Sequence, residues 1–137
     1  MFGEMNGFAY TVWLAGQAAD GLTMLWPVTF LLPVLAGGAV LWDVWGARLK
    51  FGRRMLYLLL PVIGVVTILL MGSLFENHPG LVCLPYVGVG TALVLAIVST
   101  VVLRPAWMSS ITVSLCLLWY SVWCGFVSLM SITGDWL

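Results

Sequence analysis

Charge is what this sequence has least of. Five Lys or Arg and five Asp or Glu in 137 residues give a formal net charge of zero. A soluble domain carries about a quarter charged residues because its surface faces water, and 7% cannot cover such a surface. The same scarcity excludes a nucleic-acid binder, which needs a basic patch to neutralise phosphates. A disordered tail is excluded by the 63% of hydrophobic residues. Histidine occurs once, too few for the two axial ligands of a self-contained bis-His haem. The three cysteines, Cys83, Cys116 and Cys124, show neither C-x-x-C nor paired spacing, which argues against thiol–disulfide chemistry and metal carriage. Isolated cysteines in apolar sequence act as filler, and pairing of Cys83 with Cys124 stays open. Phosphate-binding, nucleophile-elbow and H-E-x-x-H motifs are absent. No Ser, Cys or Thr has a nearby His in a base role, so no catalytic constellation and no cofactor of its own is expected.

What is present is long apolar sequence, with a mean hydropathy of +1.14. Uncharged stretches cover 21–42, 55–75, 77–103 and 105–134. A hydrocarbon core of about 30 Å takes about 20 helical residues, so each can cross it. The runs do not alternate as membrane-barrel strands do. Adjusted for Pro, Gly and aromatic edges, the spans fall near 22–45, 55–75, 81–103 and 107–130. The expected fold is one all-α membrane domain over 1–137, with four transmembrane helices in an antiparallel bundle.

The bases set the orientation. Arg48, Lys50, Arg53 and Arg54 fall in the loop 46–54, and Arg104 falls in the turn 104–106. The positive-inside rule makes both loops cytoplasmic and puts both termini outside, periplasmic in a bacterial inner membrane. Trp42, Trp45 and Trp107 then anchor the inner boundary, and Trp26 and Trp136 the outer one. Setting topology suffices to explain the basic residues, and contact with anionic lipid headgroups is their further role. Residues 1–21 lack the basic region of a secretory signal. As a helix they place Asn6, Tyr10, Trp13, Gln17 and Asp20 on one face and Phe8, Val12, Ala15 and Ala19 on the other. That pattern predicts an interfacial helix on the outer leaflet, with Gly21 turning the chain into the membrane.

Small residues mark where helices approach closely in lipid. Gly88, Ala92, Ala96 and Thr100 recur every four residues in the third span, and Ser114, Ser121 and Ser128 every seven in the fourth. Each hydroxyl can bond its own preceding turn, so both stripes predict packing seams. Pro33 and Pro61 fall inside predicted spans and should bend them, whereas Pro85 falls in a first turn.

Asp43 is the single acid within a predicted span, about one turn from the inner boundary, and an intramembrane ionisable group is a candidate functional charge by default. It fits a proton, cation or docking site, or pairing at the interface with Arg48, Arg53, Arg54 or Arg104. Glu76 and His78, in the outer loop Phe75-Glu-Asn-His-Pro-Gly80, form the second candidate. One His and scattered acids fall short of a metal site, Asn-His-Pro-Gly is explained by turn formation, and pH sensing by His78 is the functional alternative.

These features favour a non-catalytic subunit of a larger membrane complex, with membrane lipids and other integral subunits as partners. Its surface is compatible with bound lipid or quinone. The alternative is a small homo-oligomeric transporter or channel using Asp43 and the kinked first two spans. In size alone the chain resembles four-helix multidrug exporters, quinone-linked thiol oxidases and respiratory accessory subunits. The exporters' central glutamate in the first helix and the oxidases' paired cysteines have no counterpart here.

Overall fold

The computed structural model describes residues 7–47 and 53–134, and almost all of them are helical. Five α-helices follow in order: α1 Gly7–Met24, α2 Trp26–Trp45, α3 Leu60–Leu74, α4 Cys83–Val102 and α5 Trp107–Thr133. Tighter 3-10 turns at Arg53–Leu59, Pro79–Leu81 and Arg104–Ala106 lead into α3, α4 and α5. The stretches Trp26–Trp45, Arg53–Leu74, Pro79–Val102 and Arg104–Thr133 are long and apolar enough to cross a membrane. They overlay the four expected spans, because length and hydropathy are properties of the chain itself.

Two breaks differ from expectation, and proline explains both. The turn out of α1 comes at Leu25 rather than Gly21, and α1 continues to Met24. Pro27 stands in the first turn of α2, where its missing N–H costs nothing and its fixed φ starts a new helix. Gly21 has another use, since a Cβ there would meet the Trp123 ring at 3.3 Å. Pro61 is likewise in the first turn of α3, preceded by 3-10 helix, so it marks a junction instead of bending a continuous α-helix. Pro33 does lie inside α2.

The longest helix, α5, touches each of the other four. Backbones come together where side chains are missing. A Cβ on Gly64 would fall 2.6 Å from the Ala92 Cβ, one on Gly88 would strike Ile68, and one on Gly72 would fall 2.9 Å from the Ser128 Cα. Such contacts raise dispersion attraction, which lipid tails do not supply selectively between helices. Gly88, Ala92 and Ala96 are buried as expected, but Thr100 is only half-buried and Ser99 takes the buried place. Each four-residue step overshoots a turn by about 40°, so a strict four-residue stripe drifts off the contact line.

Packing gathers at both ends. At one end Leu58, Leu103 and Ala106 join Val40, Val44, Met55 and Val113, which brings the end of α2, the 3-10 turn before α3 and the turn between α4 and α5 together. Toward the other, α1 lies on α3 and α5 and buries Tyr10, Leu14 and Ala18 in a cluster with Ile68, Cys124 and Val127. The sequence pattern placed Tyr10 on a water-facing side, yet Tyr10 is 3% exposed, whereas Phe8 and Val12 stay exposed. A hydroxyl-tipped aromatic buries its ring once its oxygen finds a partner, and Ser131 supplies one at 2.7 Å.

Candidate functional site

The N-terminus of α5 has no acceptor of its own, because Ala106 at the cap position carries no side-chain oxygen. The first N–H groups of a helix need partners from outside it. Asp43, in the last turn of α2, reaches across and fills that need. Its Oδ2 accepts from the Ser109 backbone N–H at 3.0 Å and lies 2.5 Å from Ser109 Oγ. The hydroxyl has one proton and a second acceptor in reach, the Ala39 carbonyl at 3.0 Å. An acidic side chain at a helix N-terminus also meets the positive end of the helix dipole. Asp43 is 1% exposed. Its hydrogen-bond partners among the described residues belong to Ser109, and the expected pairing with Arg48 falls on a residue outside them. Arg53, Arg54 and Arg104 are exposed, while Arg48 and Lys50 lie outside the described residues. The same helix terminus disfavours a bound cation, since carboxylate and dipole already satisfy each other.

Along α5 six serines are buried: Ser109, Ser110, Ser114, Ser121, Ser128 and Ser131. The sequence pattern let Ser114, Ser121 and Ser128 bond their own preceding turns, and Ser121 does, donating to Leu117 O at 2.8 Å. Ser128 and Ser131 cross to α3 and donate to the Ile68 and Gly72 carbonyls, each at 2.9 Å. They reach because Gly72 lets the two backbones close, and a carbonyl has a second lone pair beyond its helical bond. Ser110 joins Ser99 and Thr100, each at 3.3 Å, between α4 and α5. Ser114 Oγ is buried with no hydrogen-bond partner among the described residues.

Pro33 explains another cross-helix bond. Proline in a helix has no N–H for the carbonyl four residues earlier, here Thr29. Tyr120 on α5 donates its hydroxyl to Thr29 O at 3.1 Å, and Trp119 Nε1 donates to Thr29 Oγ1 at 3.4 Å. The missing N–H thus leaves an acceptor that ties α2 to α5 midway, as Asp43 ties them at the end.

At the far end, Tyr10 meets Ser131, and Ser131 O accepts the Asn77 N–H at 3.1 Å. Burial pushes the Tyr10 phenol above its usual value; the Ser131 hydrogen bond opposes this, and the nearby Glu76 adds to it. Glu76 is half-buried and His78 exposed, so the outer-loop pair divides between α1 docking and solvent. Asn77 takes a left-handed φ of 57°, as a turn asparagine can. Among the described residues no three His, Cys, Asp or Glu side chains gather as a metal site. Cys83, Cys116 and Cys124 are free thiols.

Sequence reasoning singled out Asp43 but missed Ser109, Tyr120, Tyr10 and Ser131. The signals that could have found them were a helix start without a capping side chain, for Ser109, and an interior proline that frees the Thr29 carbonyl. Nothing in sequence named Tyr120 as its donor. No family model, curated protein or solved structure matches this chain.

Proposed function

We propose that the chain is a non-catalytic integral membrane subunit that packs against and stabilises a larger respiratory, electron-transfer or transport assembly. In this reading it also holds lipid or quinone at its surface. The observation that carries the proposal is the closure of Asp43, the one acid inside a span, on Ser109 at 1% exposure. A charge used this way joins two helices and leaves no open site for a transported proton or ion. The outward face of α2 supports the subunit role. Gly37 and Gly38 are exposed there with open space beside them, which suits close approach of a neighbouring helix.

The proposed arrangement is an antiparallel bundle of four transmembrane helices, with α1 lying along the outer edge. Contacts of Gly64 with Ala92 and of Gly88 with Ile68 fit α3 and α4 running oppositely. Both termini face the periplasm of a bacterial inner membrane, and loops 46–54 and 104–106 face the cytoplasm, following the basic residues. Native mass measurement after extraction in mild detergent tests the role. Co-purifying integral subunits are expected, and a lone monomer in every gentle detergent refutes it.

A further inference from the structure

The end of the bundle where α2 finishes and α5 begins carries positive charge without a matching acid. Arg53 and Arg54 open the 3-10 turn before α3, and Arg104 opens the turn before α5. Far apart in sequence, the two turns are packed together: Met55 and Leu58 of the first share one apolar cluster with Leu103 and Ala106, which flank Arg104. Burial of Leu103 and Ala106 pins the backbone there, while Arg53, Arg54 and Arg104 stay exposed. None of the three makes an ion pair with a described residue. The acid nearest to hand, Asp43, is buried and engaged by the Ser109 N–H and hydroxyl. Asp20 precedes α2 and Glu76 follows α3, so the other described acids stand at the opposite end.

Like charges held close repel, and an anion from outside the chain relieves that repulsion. The surroundings select the anion. Trp42 in the last turn of α2 and Trp107 at the start of α5 are both exposed, and indoles at the end of a span sit at headgroup level, where their N–H can donate. Candidate spans lead away from both turns, so the ligand that fits has a charged group at the boundary and an apolar body beneath it. Guanidinium forks match phosphate oxygens in bidentate geometry. We infer that this end of the bundle binds an anionic phospholipid, its phosphate gripped between the turn that opens at Arg53 and the turn at Arg104. The inference rests on the proposal above that the chain lies in a membrane and holds lipid, and it names the lipid class and the place.

The test uses the full chain in a zwitterionic detergent at fixed total lipid. Phosphatidylglycerol is exchanged for phosphatidylcholine with the same acyl chains, and bound lipid is counted by native mass measurement. Saturable retention of phosphatidylglycerol over phosphatidylcholine is expected. Arg54→Gln and Arg104→Gln should each weaken it about fivefold, the share of one base near a phosphate. Both side chains are exposed, so folding should persist in the variants. The double variant should lose less than the product of the single losses, because one phosphate is shared by the two turns. His78→Gln, an exposed change at the far end, should leave retention unchanged. Inorganic phosphate should not displace the lipid, since it lacks the apolar body. Equal retention of the two lipids, unchanged retention in either arginine variant, losses that multiply, or displacement by inorganic phosphate overturns the inference. So does release of a co-purifying subunit by the variants with lipid retention unchanged, which gives the basic end to an acidic protein neighbour. A lone monomer that still retains phosphatidylglycerol refutes the subunit proposal and leaves this one standing, so the two failures are distinguishable.

Discussion

Removing the carboxylate at Asp43 probes the link between α2 and α5 most directly. In Asp43→Ala the Ser109 N–H, buried at a helix N-terminus, loses its acceptor, a deficit of about 0.5–2 kcal/mol. The favourable placement of an acidic group at the positive end of the dipole is lost as well, about 0.3–2 kcal/mol. The Ser109 hydroxyl loses little, because it can turn to Ala39 O at 3.0 Å. The sum is about 1–4 kcal/mol, or about fivefold to several-hundredfold in the unfolding equilibrium. Asp43→Asn keeps one oxygen acceptor and should cost about 1 kcal/mol. Ser109→Ala keeps the N–H bond and should cost about 0.5–1.5 kcal/mol. Arg54→Ala and Arg104→Ala should stay within about 0.5 kcal/mol of the parent, because both side chains are exposed. Reversible unfolding in mixed micelles, followed by far-UV circular dichroism, measures the series. A stable Asp43→Ala protein, or an Arg104→Ala loss as large as that of Asp43→Ala, refutes the clamp and restores the interfacial ion pair.

Tyr120→Phe should destabilise by about 1–3 kcal/mol by stranding the Thr29 carbonyl. Combining it with Pro33→Ala, which restores the helical N–H, should cost less than the two separate losses together in the same unfolding assay. Gly72→Val puts a side chain where Ser128 Cα would be 2.9 Å from its first carbon. It should cost about 1–3 kcal/mol or more and lower the melting temperature, whereas Gly37→Ala, in open space, should not. Tyr10 links α1 to pH: its phenol value is raised by burial, so docking is complete below the unfolded value of about 10 and weakens as pH rises through the raised folded value. The protection factors of α1 amides, exchange relative to its intrinsic base-catalysed rate, should therefore fall in strongly alkaline buffer, and Tyr10→Phe should remove most of that fall.

The four candidate spans and the all-helical class were legible in the sequence, and Asp43 stood out there as the one acid within a span. Hydropathy over about 20 residues is additive along the chain, and a lone acid in an apolar run is conspicuous without any fold. The glycine and serine seams were also legible as contact faces, because helical periodicity places them on one side. Which partners those faces meet is pairwise information that no single segment holds. Asp43 lies 66 positions from Ser109, Tyr10 lies 121 from Ser131, and Thr29 lies 91 from Tyr120. Only tertiary packing brought these together. It turned an acid expected to seek arginine into a cap for a helix that lacks one. It buried a tyrosine expected to face water, and it left Ser114 as the serine of its stripe without a hydrogen-bond partner among the described residues. Few charges and long apolar runs determined that four helices can cross a membrane; the close approach of helices decided how the chain's scarce polar groups are used.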